Sequence, residues 1–335
     1  MTKPTIWYQH EPYRSHNRTG RLYQQLLTPE YTLAPSAKEA GIVILHTQPW
    51  DYGTLYHRLP WLKNKYVISY CTWEANPLPL RYQMSLKLVQ EVWTCSEYCA
   101  SIFRPFHPRV AVIPHVVERD LVMDSLDELL VKRMIAWDPA LTYFLAIVDE
   151  MQSRKNALGL AACFAALSSR VPNARLILKT SAAAPHVALA DPSIIQLPVD
   201  LTDAQINALY RLSDFYVSPH RSEGWGLTLS DAMLFGLPVI ATRYSGNLEY
   251  MNEANSYLIA AHECPVSAPD CYHLFTPGMV WSQPDMSELA DTMLALGDGA
   301  RTSQAQEKAA NAQQDVARFN RATAQEAMFA RLSAA

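Results

Sequence analysis

Short apolar runs alternate with longer helix-like segments along the 335-residue chain, and this alternation predicts parallel sheets with crossover helices. Several runs are apolar nearly from end to end, as expected for strands that are covered on both faces. The first series of predicted strands comprises TIWYQ (5–9), GIVILHT (41–47), KYVISYC (65–71), EVWTCS (91–96) and RVAVIPH (109–115). The second series comprises YFLAIVD (143–149), ARLILKT (174–180), SIIQLP (193–198), FYVSP (215–219) and PVIAT (238–242).

The two series predict an α/β protein with two Rossmann-like domains. We place a first domain at residues 1–137 and a second domain at residues 138–300. Residues 301–335 are alanine-rich, without a strand signal, and predict one long helix that returns toward the first domain. Because ligands of open α/β sheets bind beyond the carboxyl ends of the strands, two facing domains are expected to form a cleft.

Composition and charge narrow the possible partners and the compartment. Hydrophobic residues make up 49% of the chain, the net charge is −4, and no dense Lys/Arg run suggests a nucleic-acid partner. The six cysteines lack paired C-x-x-C spacing, which favours buried free thiols, and Cys95 and Cys99 have no second Cys/His pair that would complete a metal site. Without an apolar signal core or spanning stretch, the chain is expected in the cytoplasm, with peripheral attachment to the inner membrane face left open.

The segment SEGWGLTLSD (222–231) places acids around a glycine-rich turn that opens a helix. Gly224 and Gly226 permit a sharp turn, and the backbone amides of about 227–230 are expected to be free to bind a phosphate or diphosphate. Glu223 and Asp231 are good acceptors for hydroxyl groups. Sugar hydroxyls on both sides of a diphosphate, as in a nucleotide sugar, fit that arrangement.

The same segment also has a purely structural interpretation. Thr228 and Asp231 have the spacing of a near capping box, with aspartate where glutamate or glutamine is usual. Glu223 would then be a solvated loop acid. Spacing alone leaves both interpretations open.

EGWGLTLSD resembles the E-x7-E signature of retaining GT-B glycosyltransferases, in particular family four (glycosyl transferases group 1). The similarity extends to FLAIVDEMQSRKNALGLAACFAAL, LPVDLTDAQINALYRLSDFYVSP, TRYSGNLEYMNEANSYLI and EVWTCSEYCASIF. It implies that residues 1–137 form the acceptor domain and residues 138–300 the nucleotide-sugar donor domain. It also implies that Glu223 meets the transferred sugar and that Asp231, where the family has glutamate, meets the ribose.

The resemblance also assigns the positive charges of the site. It implies that Lys155, with Arg154 beside it, neutralises the diphosphate as it leaves. The alternative is a solvated helix start. The Gly-Arg pair that the family often carries before this lysine reads Asp149 and Glu150 here.

Further loops are expected to complete the donor site. Glu249 in SGNLEYM is expected to wall the nucleotide pocket, although a turn with a helix-start acid explains it almost as well. Gly20 lies where we predict a loop-to-helix junction with arginines nearby, and its alternative is a basic surface loop. His220 either touches the donor or holds its loop together. The complete set of expected donor-binding residues is Gly20, Gly224, Trp225, Gly226, Leu227, Thr228, Asp231 and Glu249.

Residues that follow the early strands are expected to line the acceptor side of the cleft. The tryptophans among them are either carbohydrate platforms or core residues, since aromatic rings serve both purposes. These acceptor-side residues are His46, Trp50, Asp51, Trp73 and Glu74.

The motifs and the family resemblance together predict a hexosyltransferase that moves a sugar from a UDP- or GDP-sugar to an acceptor hydroxyl. The resemblance implies that the transfer is retaining. The acceptor is expected to be a glycan, lipid-linked or protein group in polysaccharide or glycoconjugate synthesis. No cofactor is expected, and no metal, because no D-x-D segment stands at a strand end. The alternatives are a nucleotide-sugar epimerase of the same fold and a catalytically degenerate binding subunit.

Overall fold

The computed structural model describes residues 3–11, 14–120, 125–148, 152–184, 189–297 and 302–333. The chain divides into two compact units. Unit 1 comprises Met1–Val116, Tyr272–Val280 and Arg318–Ala335, and unit 2 comprises Val117–Cys271 and Trp281–Ala317.

Unit 1 is built on a parallel sheet of six strands in the order β2-β1-β3-β4-β5-β6. The central strands β3 to β5 are almost wholly buried, which explains their continuous apolar runs. The strands are β1 (Thr5–His10), β2 (Thr32–Leu33), β3 (Ile42–His46), β4 (Tyr66–Tyr70), β5 (Glu91–Thr94) and β6 (Val110–Val112). The helices along this part of the chain are α1 (Arg14–Leu27), α2 (Tyr52–Arg58), α3 (Leu80–Leu86) and α4 (Glu97–Phe103), with a 3-10 turn at Pro60–Asn64.

Unit 2 contains a second parallel six-stranded sheet, in the order β12-β11-β10-β7-β8-β9, and a small two-stranded sheet of β13 and β14. Its main strands are β7 (Thr142–Ile147), β8 (Ala174–Thr180), β9 (Ile194–Pro198), β10 (Phe215–Ser218), β11 (Val239–Thr242) and β12 (Tyr257–Ile259). The small pair is β13 (Ala261–Pro265) and β14 (Val280–Pro284). Its helices are α5 (Ser125–Met134), α6 (Ala157–Leu167), α7 (Asp203–Leu212), α8 (Leu227–Leu234), α9 (Met286–Gly297) and α10 (Ser303–Val316). The last helix of the chain, α11 (Arg321–Leu332), belongs to unit 1.

The order of the second sheet places a topological switch point between β7 and β10. From β7 the chain moves outward through β8 to β9, and β10 then pairs with the other side of β7. Loops that leave adjacent parallel strands in opposite directions open a crevice at their carboxyl ends. This topology brings the loop after β7 next to the loop after β10.

The predicted two-sheet α/β architecture is confirmed, and each of the ten predicted strands has a counterpart. β2, β12, β13 and β14 were not predicted, because β2 and β12 have only two and three residues and the segments of β13 and β14, AHECP and VWSQP, are not continuous apolar runs. The end of the predicted strand 143–149 reaches Asp149, which with Glu150 lies outside the described residues.

The unit boundary differs from the expected position near residue 137. Residues from Val117 onward group with unit 2, because α5 packs against α7 of that unit. The short segment 272–280 groups instead with unit 1, where Phe275 stacks on Trp73 at 4.6 Å between ring centroids and Asn76 forms a bridge with Val280. Polar composition alone marks neither change of unit.

The predicted single C-terminal helix is two helices. α10 belongs to unit 2 and α11 to unit 1, and the break lies between them. Asn320 has an extended backbone there, and its side chain accepts a hydrogen bond from the Thr323 amide at 3.2 Å. An N-cap of this kind begins a new helix and so divides the alanine-rich segment.

The predicted helix start near Gly20 is wrong. The helix α1 begins at Arg14, so Gly20 is an interior helical residue and its amide does not lie at an N-terminus. A Cβ atom at Gly20 would lie 2.5 Å from Cβ of His10, at the end of β1. The glycine therefore permits close packing of α1 on its strand, and donor binding by Gly20 loses its geometric basis.

We expect Gly20→Ala to destabilise the protein by about 1–3 kcal/mol, because the added methyl group overpacks a backbone-proximal contact. Urea unfolding followed by circular dichroism measures the change. Gly53→Ala in α2 is the matched control, since its Cβ would meet only an ordinary contact of 3.6 Å with Asp51. Equal stability of the Gly20→Ala variant and the wild type would contradict this account of Gly20.

Candidate functional site

Glu223 lies in the loop between β10 and α8 and is 6% exposed. Its backbone is held on both sides by the loop after β11. The Glu223 amide donates to Oγ of Ser245 at 2.8 Å, and the Glu223 carbonyl accepts from the Gly246 amide at 2.9 Å. The alternative of a solvated loop acid is therefore wrong.

Two cations from the loop after β7 meet the Glu223 carboxylate. Lys155 Nζ lies 2.5 Å from Oε1, and Arg154 Nη1 lies 3.2 Å from Oε2. Arg154 Nη1 also donates to the Ser222 carbonyl at 2.8 Å. Both cations lie in the 3-10 turn Ser153–Lys155, and their side chains are only 11% and 23% exposed, so the alternative of a solvated helix start is also wrong.

The ion cluster fixes the protonation state of Glu223. Burial by itself raises the pKa of a carboxyl group, because the charged form loses its hydration. The charges of Lys155 and Arg154 outweigh this effect and lower the pKa of Glu223 from 4.5 to about 2. Glu223 is therefore an anion at neutral pH and can only accept hydrogen bonds.

The loops after β7 and β10 are also joined by hydrogen bonds to backbone carbonyl groups. Asn156 has a left-handed backbone with φ of 54°, and its Nδ2 donates to the Pro219 carbonyl at 3.1 Å. The Arg221 amide donates to the Arg154 carbonyl at 2.7 Å. Asn156 was not predicted to have a role, and the preference of asparagine for left-handed backbone is the signal that marks it.

The glycine-rich turn is built as predicted, although fewer amides are open. Gly226 precedes α8 with φ of 86°, where a side chain is disfavoured. The Leu229 and Ser230 amides both donate to the Gly226 carbonyl, at 2.9 and 3.1 Å. Of the four amides of residues 227–230, those of Leu227 and Thr228 have no acceptor among the described residues. The predicted run of free amides to residue 230 is therefore too long.

A small cavity lies beside this helix start. It is lined by Lys155, Glu223 and Thr228 together with the ends of β7 and β10. Open amides at a helix N-terminus and an adjacent ammonium group both favour an anion. The cavity therefore combines a place for negative charge with a carboxylate acceptor.

Trp225 and Gly224 support the turn from within. Trp225 is buried, donates from Nε1 to Oγ of Ser230 at 3.2 Å, and accepts at its carbonyl from the Tyr250 hydroxyl at 2.8 Å. Gly246 approaches the Gly224 carbonyl so closely that a Cβ there would lie 1.9 Å from its oxygen. Tyr250, which sequence patterns did not single out, also donates to the Gly226 carbonyl at 2.9 Å.

His220 holds the loop rather than facing the cavity. The ring is fully buried, with Nδ1 3.1 Å from Oγ of Ser218 and Nε2 3.1 Å from Oδ1 of Asn247. Burial lowers the pKa of His220, which the nearby Glu223 charge partly offsets. Neutral imidazole with Nε2 protonated fits these contacts, because Nε2 faces the acceptor oxygens of Tyr244 and Asn247, whereas the Ser218 hydroxyl can donate to Nδ1.

Asp231 is buried in an ion pair that its sequence position did not indicate. Oδ2 lies 2.8 Å from Nη1 of Arg119, and the Asp231 side chain is 3% exposed. Arg119 also donates from Nε to Oδ1 of Asn207 at 2.8 Å. The predicted capping box is absent, since Gly226 rather than Thr228 is the N-cap and no side chain bonds at the cap.

Glu249, the last of the residues expected to bind the donor, ends the 3-10 turn Gly246–Glu249 and is half-buried. Its turn follows β11, the strand next to β10. Glu249 thus belongs to a loop at the same sheet edge as Glu223. Its proposed contact with the nucleotide stays a prediction.

The residues expected on the acceptor side occupy different environments within unit 1. His46 is buried, with Nδ1 2.7 Å from the Tyr8 hydroxyl, and Trp73 is buried against Phe275. These two are core residues. Trp50 is 38% exposed, and Asp51 caps α2 by accepting from the Thr54 amide at 3.0 Å.

The described residues were also compared with the requirements of a metal site and of a membrane-spanning helix. Cys71, Cys95 and Cys99 are buried free thiols, and Cys99 Sγ donates to the Trp73 carbonyl at 3.3 Å. Within the described ranges, no three or more His, Cys, Asp or Glu side chains cluster as metal ligands would. No described helix combines the length and apolar character needed to cross a membrane.

Residues 142–270 match the family model described as glycosyl transferases group 1. The match lies within unit 2 and contains Arg154, Lys155, Glu223 and Asp231. No curated protein matches the chain significantly. The family match confirms the resemblance to group 1 glycosyl transferases over this segment and supports a glycosyltransferase.

Solved structures show the fold of the whole chain. HepE from Anabaena, in complex with UDP and glucose, is 15% identical with a TM-score of 0.67, and the alignment covers 100% of both chains. Sucrose-phosphate synthase from Thermosynechococcus elongatus is 16% identical with a TM-score of 0.65, covering 98% of this chain and 82% of that one. A chain of the GtfA/B complex is 16% identical with a TM-score of 0.58, and the alignment covers 87% of this chain and 56% of that one. These similarities confirm the GT-B fold.

The Glu223 cluster predicts an acid dependence of stability. The pKa of Glu223 is depressed in the folded state, so its contribution is present above the ordinary pKa of 4.5 and is lost as the pH falls toward about 2. We expect the protonation of Glu223 to lower the free energy of unfolding by about 2 kcal/mol as the pH falls from about 6 to about 3. Urea unfolding at each pH measures this change.

Glu223→Gln should lack this part of the acid loss. Glu97→Gln serves as the control, because its ion pair with Arg104 is exposed and should contribute little. An acid profile of Glu223→Gln that parallels the wild-type profile would disprove the ionised, buried state of Glu223.

Proposed function

We propose that this chain, with its group 1 glycosyl transferase segment, transfers a hexose from UDP-hexose to an acceptor hydroxyl with retention of configuration. The observation that carries the proposal is the Glu223 carboxylate held by Lys155 and Arg154 beside the open start of α8. This arrangement places acceptors for sugar hydroxyls and donors for a diphosphate a few ångströms apart.

The diphosphate would bind to Lys155 and the α8 amides. Lys155 has three N–H donors, and its contact with Glu223 uses one of them. The amides of Leu227 and Thr228 supply two further donors that need no rearrangement. Positive charge fixed at this position stabilises the negative charge that develops on the leaving UDP.

Glu223 would accept hydrogen bonds from hydroxyl groups of the transferred sugar. Its low pKa keeps both carboxylate oxygens as acceptors throughout the neutral range. The tethers from Ser245 and Gly246 fix the position of its backbone. A fixed acceptor orients the anomeric carbon relative to the incoming hydroxyl.

UDP is the proposed nucleotide because the structural comparisons favour it. HepE is described in complex with UDP-glucose, and the pneumococcal O-GlcNAc transferase GtfA in complex with UDP and GlcNAc. The latter has a TM-score of 0.60 and 14% identity. GDP-sugars are the competing donors in the binding experiment.

Retention follows from the family resemblance and is consistent with the site. The bond from the anomeric carbon to the UDP oxygen breaks while the acceptor oxygen attacks the same face. The acceptor proton passes to the departing diphosphate oxygen, so no enzyme nucleophile is required. Lys155 and Arg154 supply the positive charge that stabilises the leaving diphosphate. Because these side chains could take the place of a metal ion in this step, we propose that the reaction does not depend on a metal.

The ribose contact of Asp231 stays part of the proposal in a modified form. Arg119 forms an ion pair with one carboxylate oxygen of Asp231. A ribose hydroxyl would therefore meet a carboxylate whose charge is already balanced by a guanidinium group. Glu249 is proposed to contribute from the neighbouring loop. The proposed acceptors are glycan, lipid-linked or protein hydroxyl groups, with peripheral membrane attachment for a lipid-linked acceptor.

A panel of UDP- and GDP-sugars tests the donor. Bound ligand raises the melting temperature in proportion to ln(1 + [L]/Kd), so thermal shift ranks the donors before transfer assays with saccharide and lipid-linked acceptors. We expect a UDP-hexose to give the largest shift and measurable transfer. Epimer formation would identify an epimerase instead, and binding without turnover would identify a degenerate subunit.

We expect Glu223→Gln to lower kcat for transfer by about 100-fold or more while UDP affinity stays near wild type, because the carboxylate meets the sugar rather than the diphosphate. Transfer assays and calorimetric titration of UDP measure the two effects. Glu253→Gln, at an exposed ion pair with Arg243 in the same unit, is the control. Wild-type turnover by Glu223→Gln would remove the proposed role of this residue.

Lys155→Ala should weaken UDP binding by about tenfold, equivalent to about 1.4 kcal/mol, since a charge-assisted contact with the diphosphate is lost. Titration of UDP, with uridine as a phosphate-free comparison, measures the effect. Lys63→Ala, in the exposed 3-10 turn of unit 1, is the matched control. Unchanged UDP affinity in Lys155→Ala would place the diphosphate elsewhere.

A further inference from the structure

Ser245 has a backbone conformation that residues with a side chain rarely adopt. Its φ is 80° and its ψ is −152°, a region populated almost only by glycine. The residue is 6% exposed and lies in the loop after β11, beside the Glu223 loop. Such strain persists only where surrounding contacts enforce it, and it is concentrated at functional sites.

The Ser245 hydroxyl provides the contact that accompanies this strain. It accepts from the Glu223 amide at 2.8 Å and donates to its own neighbour, the Tyr244 carbonyl, at 2.5 Å. The next residue, Gly246, donates to the Glu223 carbonyl at 2.9 Å. Successive residues of one loop thus hold both backbone polar groups of Glu223.

Glycine at position 245 would relieve the strain but would remove the hydroxyl. Alanine would keep the strain and also remove the hydroxyl. Serine is therefore the small residue that supplies a hydrogen-bond acceptor to the Glu223 amide, at the cost of an unfavourable backbone. This combination favours the position of Glu223 over local stability.

We propose that Ser245 is a positioning residue for Glu223, an inference that rests on the proposed transfer reaction. In the free protein, Lys155 and Arg154 also anchor the Glu223 carboxylate. When a diphosphate takes up donors of Lys155, this side-chain anchor weakens. The Ser245 hydroxyl then keeps the Glu223 peptide in place, so that the carboxylate stays directed at the transferred sugar.

Two variants of Ser245 separate positioning from stability. Ser245→Gly and Ser245→Ala both lack the hydroxyl, and we expect kcat to fall by about ten- to hundredfold in both, because a small displacement of a substrate-orienting group slows transfer. Their melting temperatures should differ, with Ser245→Ala roughly 4 °C below Ser245→Gly because only alanine retains the strain. Calorimetric Kd values for UDP should match wild type in both, since UDP lacks the transferred hexose that Glu223 is proposed to contact.

Ala136→Gly is the matched control, since Ala136 is exposed and also has a positive φ, of 47°. Its turnover should equal that of the wild type. Three outcomes would each overturn the positioning role while leaving the transfer reaction intact. The first is a wild-type kcat in Ser245→Gly, and the second is a kcat that follows the melting temperature across the two variants. The third is a weakened UDP affinity in either variant. If the wild type transfers no sugar from any donor, the proposed function fails, and this inference fails with it.

Discussion

The ion cluster of Glu223 with Lys155 and Arg154 is the interaction on which the site depends. A buried carboxylate without a partner loses several kcal/mol of hydration, so the fold must supply cations within contact distance. The switch point between β7 and β10 makes this possible, since it brings the basic turn beside the acidic loop. The bond from Asn156 to the Pro219 carbonyl then ties the two loops together, which keeps the charges matched.

The same groups serve the free protein and the proposed reaction in different ways. Without donor, Lys155 neutralises Glu223, and the low pKa of Glu223 records that neutralisation. With donor, a diphosphate would share Lys155 and the first amides of α8, and the carboxylate would turn to sugar hydroxyls. If the proposed reaction is correct, the cations and the carboxylate are already assembled before a ligand arrives, which would reduce the reorganisation that transfer requires. Ser245 fits this arrangement, because its hold on Glu223 does not depend on the cations.

The second acid of the signature, Asp231, lies in an ion pair that its spacing in the sequence does not indicate. Asp231 neither caps its helix nor stands as an isolated acceptor, because Arg119 pairs with it from a position 112 residues earlier. Arg119 belongs to the polar segment that follows β6 and groups with unit 2. The shorter aspartate is thus matched to a buried guanidinium, which a helix-based interpretation of Thr228 and Asp231 could not anticipate.

The sequence by itself determined the two parallel sheets and the glycine turn before α8, and it singled out Glu223, Lys155 and Arg154, which the structure brings together. These features depend on apolar runs, on the backbone freedom of glycine at Gly226 and on residue types in a short motif, all of which are local. The tertiary structure alone decided that Lys155 meets Glu223 across 68 residues, that Gly20 packs against His10 inside α1, and that Ser245 holds Glu223 in a strained loop. Such contacts follow from strand order and close packing, and neither is encoded in the periodicity of any single segment.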